Sequence, residues 1–170
     1  MNTSLIHTVF IYYLSNLARM LERIEQHSPA PETLLQSRLI ADMLPLAQQV
    51  RAAASFSLRG CCPLHNKEIV SFSNDDASLK GLRRQLVETI AYLETVADEH
   101  VGDSASKFIQ EEAGFATVRL PAESFLHQYC LPNFFFHLSM VYAIARKDGA
   151  PLTKGDFDGF HHYDPGFSFE

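Results

Sequence analysis

The sequence has 170 residues, 46% of them hydrophobic and 20% charged, which supports one folded domain with a real core and excludes a disordered or fibrous chain. The formal net charge of -6, without any run of Lys and Arg, argues against a phosphate-backbone partner, since nucleic-acid binding rests on clustered cations that release counterions. Three cysteines, with Cys61 next to Cys62, make no disulfide framework and fit a reducing compartment. Ile6 to Leu14 is apolar like the middle of a signal peptide. However, no Lys or Arg precedes it, no small-residue cleavage site follows, and Arg19, Glu22 and Arg23 continue its helical pattern. No apolar run approaches the ~20 residues of a membrane span, so a cytoplasmic protein without a membrane segment is expected.

In chain order, Ile6, Phe10, Leu14, Leu17, Leu21 and Ile24 step by threes and fours. They predict an amphipathic helix from Ser4 to about Gln26, capped by Asn2 or Thr3 and ended by Ser28, Pro29 and Pro31. Glu32 to Leu39 reads as a short helical turn. It leads to a second helix from Asp42 to about Leu58, lined by Leu46, Val50, Ala53 and Ala54. Pro45, three residues past Asp42, is tolerated in a first turn, so Asp42 is a consistent N-cap.

Arg59 to Ala77 reads as a loop by its Gly60, Pro63 and Ser, Asn and Asp content. Cys61, Cys62 and His65 lack the ligand spacing of a zinc site. A third helix carries Leu79, Leu82, Leu86, Ile90, Leu93 and Val96, opened by Asp75, Asp76 or Ser78. A connection of roughly 19 residues spans up to ~60 Å, against ~25 Å for a helix of ~17 residues, so the third helix can run parallel to the second. Asp98 to Pro121 is a second long connection, in which Phe115 to Leu120 alternates as an extended segment or small hairpin.

The fourth helix runs from about Phe125 to Lys147, with Gly149 and Pro151 as stop signals. At helical spacing Leu126, Cys130, Asn133, His137, Met140 and Ile144 form one stripe, so an amide and an imidazole stand where apolar residues belong. Phe134, Phe135, Leu138, Val141 and Tyr142 make the other faces apolar too, as in a helix buried on several sides or facing a second subunit. Pro132 removes a donor and is expected to kink the helix, freeing a carbonyl near Gln128. Phe157, Phe160, Tyr163, Phe167 and Phe169 form an aromatic tail over 152–170, expected to pack on the bundle or on a partner chain. The pattern predicts an all-α four-helix bundle, a class that places polar sites in its interior.

Arg38, Leu39, Asp42, Met43, Pro45, Leu46, Gln49 and Val50, followed by Leu131, Pro132, Asn133, Phe134, Phe136 and His137, carry a resemblance over nearly the whole chain. Tyr142, Ala143, Ile144, Arg146, Gly149 and Pro151 extend it. The sequence resembles a bacterial family of unknown function within the DinB/YfiT-like superfamily. The resemblance implies a four-helix bundle of up-down-down-up topology, commonly dimeric. In better-characterised relatives, one histidine on the second helix and two on the fourth hold a divalent metal used in thiol transfer or hydrolysis. His137 matches one ligand position, whereas Asn133 stands one turn earlier and the predicted second helix has no histidine. Zn or Ni is therefore disfavoured, because an amide replaces imidazole poorly for first-row metals.

Two function classes follow. In the first, Asp42, Asn133 and His137 converge in an interior polar pocket that binds a small-molecule ligand or forms the site of a degenerate metal-dependent enzyme. In the second, the chain is a non-catalytic dimeric binding or scaffold protein, and a buried Asn133 and His137 pair is structural. The expected partner in either is a second copy, meeting through the fourth helix. Cys130 reads as a buried inert thiol, His161 and His162 as solvated, and His127 as lying on another face.

Overall fold

The computed structural model describes residues 4–97, 107–164 and 167–168. It is mostly helical: α1 (Ser4–His27), α2 (Pro31–Leu34), α3 (Leu46–Cys61), α4 (Leu79–Ala97), α5 (Ala122–Ser124), α6 (Leu131–Lys147) and α7 (Lys154–Asp158). A 3-10 turn (Cys62–His65) extends α3, and a π-helical turn (Phe125–Cys130) joins α5 to α6. The strands β1 (Phe108–Ala113) and β2 (Ala116–Pro121) pair antiparallel, the small hairpin expected near Phe115 to Leu120, beside an otherwise helical fold. Their turn places Gly114 at φ +63° as its first central residue, where a side chain would be strained. The expected caps of α1, Asn2 and Thr3, and tail residue Phe169 lie outside the described residues.

The core is assembled from the apolar stripes of the long helices. Phe10, Leu14, Leu17, Leu21 and Ile24 of α1 meet Leu82, Leu86 and Leu93 of α4 and Phe134, Leu138, Val141 and Ile144 of α6, all buried. Ala53 and Ala54 let α3 lie close against its neighbours. Gly60 does not break α3. A Cβ there would stand 3.2 Å from each of Cys130, Leu126 and Phe10, so the glycine serves close packing.

The helix starts show which local signals dominated. α4 is capped by Ser78, whose hydroxyl accepts the Gly81 N–H at 3.2 Å while Asp76 accepts the Ser78 N–H at 3.0 Å. α3 begins at Leu46 with extended Pro45 at the cap position (φ -69°, ψ 161°), not with Asp42. The residue before a proline is pushed out of the helical region, so the helix cannot reach back through Leu44. Its first N–H groups go to backbone instead: Leu46 to the Ser37 carbonyl at 2.9 Å and Ala47 to the Leu35 carbonyl at 3.0 Å.

The tail closes on α1. Phe157 packs on Tyr13 and Tyr142 at centroid separations of 5.9 and 6.0 Å, and Phe160 stacks on Tyr12 at 5.5 Å. No helix among the described residues is long and apolar enough to cross a membrane.

Candidate functional site

Pro132 lies in the first turn of α6, and the chain before it widens into the π-helical turn, in which the Leu131 N–H reaches back five residues to the Leu126 carbonyl. Asn133 then donates its side-chain Nδ2–H to the Tyr129 carbonyl at 2.7 Å. That bond serves backbone one turn away, a local role familiar for amides at helix irregularities. The wide turn inserts one residue into the helical count. From Leu126 and Cys130 the buried stripe continues through Phe134, His137, Leu138, Val141 and Ile144, while Asn133 and Met140, at its edge, are only partly covered.

His137 is 9% exposed and meets a partner from another helix. Gln49 of α3, 1% exposed, presents Oε1 to His137 Nδ1 at 2.7 Å and donates Nε2–H to the Leu44 carbonyl at 3.2 Å. Because the amide nitrogen is spent on Leu44, the oxygen faces the imidazole, so Nδ1 carries the hydrogen and donates. One face of the ring stacks on Phe56 at 5.5 Å, and Phe136 meets it edge-on at 5.2 Å. On the Phe56 ring sits the Arg59 guanidinium, 4.6 Å from the centroid and ion-paired with Glu111 of β1. Burial, helped by the Arg59 charge, holds the His137 pKa below the ordinary imidazole value and the ring neutral at pH 7.

Asp42, Asn133 and His137 are therefore not one pocket. Asp42 lies exposed in the turn before α3, Asn133 serves the Tyr129 carbonyl, and His137 is held by Gln49. Gln49 is the residue that the stripe pattern passed over. It falls three after Leu46 and four before Ala53, a polar side chain on the apolar face of its helix, the same anomaly that singled out His137.

Among the described residues, no group of three or more His, Cys, Asp or Glu side chains is placed to hold a metal ion. The polar partner of His137 is the neutral Gln49 amide, beside the Phe56 and Phe136 rings, a setting that does not fit the divalent metal implied by the superfamily resemblance. His65 is instead buried against His7, ring centroids 4.8 Å apart. Cys61, Cys62 and Cys130 are free and buried. Burial pushes the Cys130 thiol up to about 12 despite the opposing Arg59 charge, so it is no thiolate at neutral pH. His127 and His162 are exposed, whereas His161 is engaged by Asp158 and Lys154.

Residues 4–158 match the model of a domain of unknown function, DUF1993. A crystal structure of a DinB family member protein from Shewanella denitrificans is similar to this chain with a TM-score of 0.78 and 26% identity, over 92% of this chain and 91% of that one. No curated protein matches. Over nearly its whole described length, and with the fold of a DinB family member, this chain belongs to the DUF1993 family within the DinB-like superfamily.

Proposed function

We propose that this chain is a non-catalytic, self-associating binding protein on a DinB-like helical frame, in which Gln49, Asn133 and His137 serve the fold. One observation carries the reading: His137 gives its Nδ1–H to Gln49 and a ring face to Phe56, so the imidazole acts as a tie between α3 and α6. A degenerate metal-dependent enzyme of thiol-transfer or hydrolase type would need further imidazoles or carboxylates beside that ring, and its polar partner is the Gln49 amide.

The partner in this reading is a second copy, which meets the strip formed by Leu39, Ile40, Leu44 and Phe136, all exposed. Hydrogen bonds tie the turn that carries Leu39, Ile40 and Leu44 to α6. Leu44 is bonded through Gln49 to the residue after Phe136, and Lys147 Nζ of α6 donates to the Arg38 carbonyl at 2.6 Å. This narrows the expected interface on the fourth helix, since Phe134 is buried in the core and Phe135 packs on Tyr13 at 4.9 Å, leaving Phe136 as the outward ring. An apolar strip of this kind favours a twofold, self-complementary contact.

We further read α1, α3, α4 and α6 as an up-down-down-up bundle in a cytoplasmic protein. Support for parallel α3 and α4 comes from Arg51, early in α3, donating to Gln85, early in α4, at 3.0 Å, and from Cys62, just past α3, bonding Tyr92, late in α4. The free thiols support the compartment. Sedimentation velocity at micromolar concentration tests the dimer: the full chain sediments as a dimer and Phe136→Glu as a folded monomer. A monomeric wild type, or a dimer unaffected by Phe136→Glu, refutes the assignment.

A further inference from the structure

At the far end of the chain, Asp158 closes α7 with its side chain tucked in, the residue being 8% exposed. One carboxylate oxygen accepts the Phe160 and His161 N–H groups at 2.9 and 3.0 Å, and the other accepts from His161 Nδ1. Since the carboxylate has no proton to give, Nδ1 carries the hydrogen, and in the neutral imidazole the lone pair then sits on Nε2. Lys154 Nζ lies 3.0 Å from that Nε2. The line carboxylate, imidazole, amine has the form of an activated nucleophile with its base and its orienting acid.

The backbone is shaped to make this line. A Cβ at Gly155 would lie 2.0 Å from the His161 carbonyl oxygen, and Gly159, at φ +75°, would place one 2.2 Å from the Tyr12 hydroxyl. That hydroxyl donates to the Asp158 carbonyl at 2.9 Å. Two positions closed to side chains and a tyrosine from α1 thus fold His161 back over the start of α7. Both Lys154 and His161 remain open to solvent.

We propose that Lys154 is a self-acylation site that takes acyl groups from small acyl thioesters, with His161 as its general base and Asp158 as the residue that positions His161. The ammonium first loses one proton to solvent. The Nζ lone pair then attacks the thioester carbonyl carbon and forms the C–N bond, while His161 Nε2 takes the second proton. As the C–S bond breaks, the imidazolium passes that proton to the leaving thiolate, so an amide and a free thiol result with no change of oxidation state. Thioesters suit an amine nucleophile because the thiolate is a good leaving group that accepts the proton as the C–S bond breaks.

The full chain incubated with the acetyl thioester of N-acetylcysteamine, followed by peptide mass spectrometry over time, tests the site. Lys80, exposed on α4, is the reference within the same molecule. Lys154 is expected to acetylate at least about ten-fold faster than Lys80, and His161→Gln to bring the two within about two-fold, as loss of a general base requires. Equal rates in the wild type, or a Lys154 advantage that survives His161→Gln, overturn the proposal. The internal reference keeps either result readable even if the variant is less stable.

Discussion

His137 and Gln49, 88 residues apart in the chain, meet side chain to side chain at 2.7 Å and join α6 to α3. The amide is held on its other side by the Leu44 carbonyl, so its oxygen cannot turn away without stranding a buried N–H. Gln49→Leu keeps the apolar stripe but leaves the His137 Nδ1–H without an acceptor. A buried donor without a partner costs about 1–3 kcal/mol, against little gained from one more buried methyl group. Urea denaturation of Gln49→Leu is therefore expected to show a loss in that range with an unchanged m value.

The sign of the pH dependence follows from the direction of the His137 shift. Its folded pKa lies below the ordinary value of ~6.5 that the unfolded chain retains. Between those two values the unfolded state holds the proton and the folded state does not, so acid favours unfolding. Above the unfolded value the contribution of this group is constant. It declines as pH falls below ~6.5 and levels off only beneath the folded value. The melting temperature of the wild type should consequently drop more steeply from pH 7 to pH 5 than that of His137→Gln. A variant with the same slope would show that His137 is not the group responsible.

Gly60 offers a case where two effects oppose. Alanine improves helix propensity by about 1 kcal/mol, yet its methyl would press on Cys130, Leu126 and Phe10 at 3.2 Å in a closely packed region. Overpacking typically costs about 1–3 kcal/mol, so the steric effect is expected to win and Gly60→Ala to melt lower than the wild type. Differential scanning calorimetry checks the direction.

The long helices were legible because each keeps an apolar residue every three or four positions over several turns, a signal that does not depend on distant contacts. The candidate site was legible only in part. His137 was visible as a polar residue on an apolar face, but its spacing from Asn133 could not show that the Asn133 amide turns back to the Tyr129 carbonyl while His137 reaches Gln49 on another helix. Asp42 has a side chain suited to capping, and Pro45 overrides it by forbidding helix just before itself. Gly60 carried the usual sign of a loop and instead marks a close approach of packed elements, a property set by residues 50 and 70 positions away and so absent from any local window.

The claim that His137 is a tie within the fold rather than a metal ligand is tested most directly by thermal melts of the wild type and His137→Ala with and without zinc. Proteins are purified without a histidine tag. A ligand bound only by the folded state raises its melting temperature by mass action, about 2.7 kcal/mol at a hundredfold excess over Kd. The account predicts that His137→Ala melts several degrees below the wild type without metal, and that added zinc raises neither. A zinc-dependent rise in the wild type that His137→Ala abolishes would contradict it.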